Sequence, residues 1–209
     1  MRKKLRTVFL VGAVVLAMVP GLASANTDMN YANTVGSSIS FDGSGHFTIG
    51  TFDITSGSAS GFLGNVAGSF TIGAINTMFG MSSASVLGTG TLTISDGLNV
   101  LTGNLNWVDI AQMGTLDGLN LTGTVNLTGI TYSGSNADLM ALAAAGSATD
   151  TLSFQFASGV TLSSLATTAQ SSSFSGTISA SSVPDGGATV ALLGFGLVGI
   201  EGLRRRFRK

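Results

Sequence analysis

The chain has 209 residues, with 9 Lys and Arg, 10 Asp and Glu, one His, no Cys and 30 Gly, and a formal net charge of −1. All basic residues lie at the two ends, while residues 26–182 contain eight Asp and no Lys, Arg, Glu, Cys or Pro, a charge of −8. This body has nothing to neutralise phosphates, which excludes nucleic-acid binding, and it has no thiol for disulfides, zinc–thiolate sites or cysteine catalysis.

The first 25 residues read as a secretory signal peptide. Arg2, Lys3, Lys4 and Arg6 form a basic leader, Val8 to Val19 is an apolar run, and Pro20-Gly21 breaks it. Ala23 and Ala25 form the small-x-small cleavage site. The apolar run is too short to span a bilayer as a helix. The expected partners of this end are export machinery and signal peptidase, and the mature chain is expected to begin near Asn26.

Residues 26–182 are expected to form one exported β-rich domain. SISF ends at Asp42-Gly43, a turn signal. Phe47 and Ile49, then Phe52 and Ile54, alternate with polar residues, and the phase slips by one at Gly50-Thr51, which predicts a bulge. Phe70 and Ile72 continue the period of two, as do Leu92 and Ile94. A predicted type I′ turn at Asp96-Gly97 leads to Leu105 and Trp107. Asp117-Gly118 precedes Leu119, Leu121, Val125 and Leu127. Asn136 caps a short helix over 137–145 that Gly146 ends, with Leu139, Leu142 and Ala143 on one face. Leu152, Phe154 and Phe156, then Phe174 and Ile178, complete about ten short strands. The fold expected is all-β, an antiparallel sandwich or jelly-roll-like domain with one short helix. An outer-membrane barrel is the alternative, weakened by short strands of mixed polarity. Without Lys, the strand edges lack their usual guard, so self-association or docking to a matrix is open.

The last 27 residues are organised as a motif at 183–187, a charge-poor hydrophobic segment at 188–203 and a basic tail at 204–209. The segment predicts a transmembrane sorting helix, and Arg204, Arg205 and Arg206 a cytoplasmic stop signal. Val183-Pro184-Asp185-Gly186-Gly187, the Gly/Ala/Leu span and the terminal Arg run together resemble the PEP-CTERM class of sorting signals, and most closely its VPDSG-CTERM variant. Gly186-Gly187 stands where that variant often has a small hydroxyl residue before Gly. The resemblance implies a Gram-negative-type bacterial envelope and an exosortase-like membrane transpeptidase as partner. It also implies a membrane-anchored intermediate that is then secreted or displayed on the cell surface. It does not extend into residues 26–182.

Catalytic residues are not signposted in the body. His46 is the only imidazole, and its spacing from Ser44 and Asp42 is that of a strand and a turn rather than a triad. The Asp residues offer no marked pair for glycoside hydrolysis. No cofactor is expected, and calcium is the one metal weighed, because Asp42-Gly43-Ser44-Gly45 is a fragment of an oxygen-rich loop. Trp107 and Tyr132 are the aromatics suited to stacking on a sugar, although Trp107 falls in phase with inward Leu105. The function expected is therefore non-enzymatic: an exported cell-surface or extracellular-matrix structural or interaction protein. The alternatives are a carbohydrate-binding module for matrix exopolysaccharide and, below it, a secreted hydrolase with an Asp pair.

Overall fold

A computed structural model describes residues 26–113, 119–157 and 159–181. The expected signal peptide with Ala23 and Ala25, the expected Asp117-Gly118 turn, the 183–187 motif, the 188–203 segment and the Arg run lie outside the described residues.

Thirteen strands form one continuous antiparallel sheet: β1 Asn26–Asn33, β2 Ile39–Asp42, β3 His46–Ile49, β4 Phe52–Ile54, β5 Leu63–Gly68, β6 Phe70–Met78, β7 Met81–Leu87, β8 Thr89–Ser95, β9 Val100–Gln112, β10 Leu119–Thr131, β11 Ser147–Phe156, β12 Ala169–Ser172 and β13 Phe174–Ser181. Eight of them close into a barrel in the order β10-β11-β13-β1-β4-β5-β8-β9, with β9 pairing back onto β10. Beyond β9 the sheet runs on through β7, β6, β3, β2 and β12.

Closure replaces the two open sheets expected from sequence, and β9 is the reason. At 13 residues it is long enough to pair with β8 through Asn106 and with β7 from Asp109, while its other edge holds β10. The partner change falls at a bulge. Val125 faces Trp107 and Thr124 faces Asp109, leaving Val108 as the extra residue. The bulge resets the alternation, so both Trp107 and Ile110 point inward.

The barrel has two unlike ends. The loops 55–62 and 96–99, the 132–146 connection and the termini Asn26 and Ser181 share one end. The insertions that carry β2, β3, β6, β7 and β12 all leave from the other. These five strands form a second layer there. Phe41 packs 6.0 Å from Phe154, and Phe47 lies edge-on to Trp107 at 5.1 Å between ring centres. That region is packed sheet on sheet, as a sandwich would be. The Gly50-Thr51 phase slip is not a bulge within one strand. It is where the chain crosses from β3, in the second layer, to β4, in the barrel.

The interior is apolar and the outside polar. Met29, Phe52, Ile54, Leu92, Leu105, Val125 and Leu152 are buried. Along β11 the outward positions are Ser147, Thr149, Thr151, Ser153 and Gln155, all exposed. An outer-membrane barrel has the reverse polarity, with apolar residues facing lipid.

Glycines facing inward make room for large rings. Gly64 lies directly across from Phe52, and Gly176 across from Tyr31. A Cβ at Gly64 would overlap the Phe52 ring, one at Gly123 the Trp107 ring, and one at Gly176 the Tyr31 phenol. The repeated Leu-Thr-Gly triads at 101–103 and 121–123 have this basis: each puts a Leu and a Gly on the inner face.

The expected helix forms as α1, Ala137–Ala145. The Asn136 side chain accepts from Asp138 N and Leu139 N, and Gly146 (φ 69) returns its N–H to Leu142 O and Ala143 O. Leu139 and Leu142 are buried against the termini end of the barrel. A second helix, α2 Leu162–Leu165, was not expected. Thr161 and Ser164 cap it reciprocally, and Leu162 and Leu165 are buried.

The turns also depart from expectation. At Asp96-Gly97 only Gly97 has positive φ (93), so this is not type I′, which needs two such residues. The type I′ geometry appears instead at Phe79 (φ 51) and Gly80 (φ 78), between paired Met78 and Met81.

Candidate functional site

Among the described residues, the one carboxylate inside the barrel is Asp150. It shares the inward parity of Leu152, Phe154 and Phe156 on β11, and it is 2% exposed. Tyr31 reaches it from β1, two strands away, by lying over Gly176 of the intervening β13. The Tyr31 hydroxyl donates to Asp150 Oδ1 at 2.8 Å. Burial pushes the Asp150 carboxyl up to about 7, and the phenol bond offsets part of that rise. Burial, together with the neighbouring Asp150, holds the Tyr31 phenol well above its usual range. Below about pH 7 the arrangement is therefore a neutral, proton-holding pair in an apolar core.

The second cluster closes the termini end. Asp96 Oδ1 accepts from Leu98 N at 2.8 Å and Asn99 N at 2.6 Å, and the Tyr132 hydroxyl donates to Oδ2. The Tyr132 oxygen in turn accepts from Asn136 N at 3.3 Å, just before α1. Asp138 Oδ2 accepts from Ser58 N at 2.5 Å and Ala59 N at 3.3 Å. These bonds tie three loops together around α1. The phenol bond and then the loop N–H groups hold the Asp96 carboxyl down at about 2. A lowered carboxyl stabilises the fold above its unfolded value of 3.8, and that contribution fades as pH falls toward 2. Asp96→Ala is therefore expected to lower the melting temperature more at pH 7 than at pH 2. Thermal scans at both pH values check this.

The other sequence candidates are dispersed. Asp42 turns both oxygens onto its own loop, accepting from Ser44 N and Ser44 Oγ at 2.8 Å and from His46 N at 3.1 Å. Its carboxyl is lowered, chiefly by the Ser44 N–H. His46 faces outward and shares a 2.8 Å hydrogen bond through Nδ1 with Thr71 Oγ1 on β6. Ser44 and His46 are not brought together as nucleophile and base. Trp107 is 6% exposed, and its Nε1 has no hydrogen-bond partner among the described residues. Buried between Phe47 and Phe70, it offers no face to a sugar ring. Tyr132 is committed to Asp96. A shallow cavity of about 440 Å³ lies at the far end among Thr34, Ser37, Ser40, Thr48 and Thr51, lined by hydroxyls without a charge. Among the described residues no group of three His, Asp or Glu could hold a metal ion.

Among the described residues, fold and site thus define an acidic β-barrel domain in which Asp42, Asp96, Asp138 and Asp150 are engaged by turns, loops and the core. The tail supplies the relationship: residues 182–207 match the family described as the VPDSG-CTERM motif, a PEP-CTERM-like sorting signal. No curated protein and no solved structure matches the chain.

Proposed function

We propose that this chain is an exported structural or interaction protein of the cell surface or extracellular matrix, delivered through its C-terminal sorting signal. Secretion with such a signal is the coarse reading carried by the match at 182–207. The finer reading adds an exosortase-like transpeptidase that acts at Val183-Pro184-Asp185-Gly186-Gly187. Before that step, the 188–203 segment holds the chain in the membrane and Arg204, Arg205 and Arg206 hold the tail inside. Support for a non-enzymatic body comes from Asp42, Asp96, Asp138 and Asp150, each engaged by its own turn, cap or core partner.

Deleting residues 183–209 is expected to abolish surface retention while leaving export intact. Replacing Arg204, Arg205 and Arg206 by Ala is expected to slow tail removal, because the positive-inside stop is lost. Mass spectrometry of the mature protein should find an N-terminus near Asn26 and a C-terminus within or next to 183–187. Recovery of the full tail on the surface protein, or unchanged retention after the deletion, rejects the proposal.

A further inference from the structure

The β6–β7 hairpin projects past the Gln112 end of β9, away from Asn26 and Ser181, because Ser83 of β7 is already level with Ala111. β6 pairs with β7 to the tip, with a register shift between Ile72 and Ile75; on its other side it pairs with β3 at Phe70 and Thr71, and Ile72 N donates to Gly45 O at 2.8 Å just before β3. Residues 73–78 therefore present an edge that pairs with nothing among the described residues. At the tip Met78, Phe79 and Met81 are 67%, 91% and 45% exposed. Phe79 is the one non-glycine with positive φ among the described residues, a position where Asn or Asp is usual and where a ring pays in strain.

We propose that this hairpin is a self-association element. The free edge of β6 pairs antiparallel with the same edge of a second copy, and the Met78 and Phe79 side chains pack across the join.

Three observations favour a second copy. The edge has neither Lys nor Pro to block strand addition. No charged residue occurs between Asp53 and Asp96. The hairpin itself therefore brings no carboxylate of β6 or β7 in one copy against one in the other, although each body carries −8. The third is the backbone itself. An apolar tip alone would suit a bilayer, but the open N–H and C=O groups of 73–78 would go unsatisfied in hydrocarbon, whereas an identical strand satisfies them. Like edges joined by a two-fold axis give a closed dimer rather than a fibre. This goes beyond the surface-protein reading and stands without it.

The test is sedimentation of the exported protein over a range of concentrations. A monomer–dimer equilibrium is expected, and Asn76→Lys, on the exposed edge, should raise the dissociation constant by about tenfold or more through like-charge apposition. Asn65→Lys, on β5 and paired with Thr93 of β8 away from the hairpin, should leave it unchanged. The chain has no Cys, so Asn76→Cys supplies a unique thiol, and a short bis-maleimide should join two copies through it but not through Asn65→Cys. A monomer at every concentration, or a dimer indifferent to Asn76→Lys, overturns the proposal. So does a monomer that binds phosphatidylcholine vesicles and loses that binding in Phe79→Ser.

Discussion

Raising the pH from 4 to 8 is expected to cost the folded protein about 4 kcal/mol, nearly all of it through Asp150. The unfolded chain releases this proton near 3.8, and the folded chain holds it up to about 7. Between those values the native state binds the extra proton, so stability is full below 3.8 and falls as pH rises through about 7. At 1.36 kcal/mol per pH unit the gap gives about 4 kcal/mol. Asp42 and Asp96 act in the opposite direction, and only at more acidic pH, since their carboxyls are lowered. The stability maximum is therefore expected on the acid side of neutrality. Asp150→Asn keeps the shape and a partner for the Tyr31 hydroxyl but cannot ionise. Its urea midpoint should be nearly flat from pH 4 to 8 and higher than the parent's at pH 8. Tyr31→Phe should cost about 1–3 kcal/mol at pH 5, where Asp150 is neutral but left without its phenol. Equal pH slopes in the parent and Asp150→Asn would show that the carboxyl is not buried as described.

The second large effect is expected at Trp107. Trp107→Ala should cost about 3–5 kcal/mol, since the ring fills the contact between the barrel and the second layer, against Phe47 and Phe70. Gly123→Leu alone should also destabilise, by about 1–3 kcal/mol or more, because any Cβ there overlaps the indole. Combined, the two should destabilise less than their sum, with a coupling of about 0.5–3 kcal/mol, as the new side chain enters the vacated space. Strict additivity in chemical denaturation would mean that Gly123 is not the slot for the indole.

Much of the core was legible because alternation survives any arrangement of strands. Phe47, Ile49, Phe52, Ile54, Leu92, Ile94, Leu152 and Phe154 are buried as their parity predicts. The helix at 137–145 was legible because a cap is a local bond: Asn136 and Gly146 act within one turn of their own positions. Asp150 was readable in principle, being in phase with three buried apolar residues, yet Asp is common at turns and parity alone does not say that a carboxyl is inside. Tyr31, 119 residues away, gave no sign of being its partner. The Phe79-Gly80 turn carried no Asn-Gly or Asp-Gly signature, and the tight pairing of Met78 with Met81 imposes it.

By itself the sequence determined that basic charge is confined to the two ends, that the body is acidic and β with a polar outer face, and that its tail is a sorting signal, because composition, period and contiguous motifs are local properties. Only the tertiary structure decided that the sheet closes, that Asp150 lies inside it, and that β6 keeps an open edge. Those depend on which strand ends lie side by side, and hydrogen-bond register between distant segments leaves no trace in the order of residues along either one.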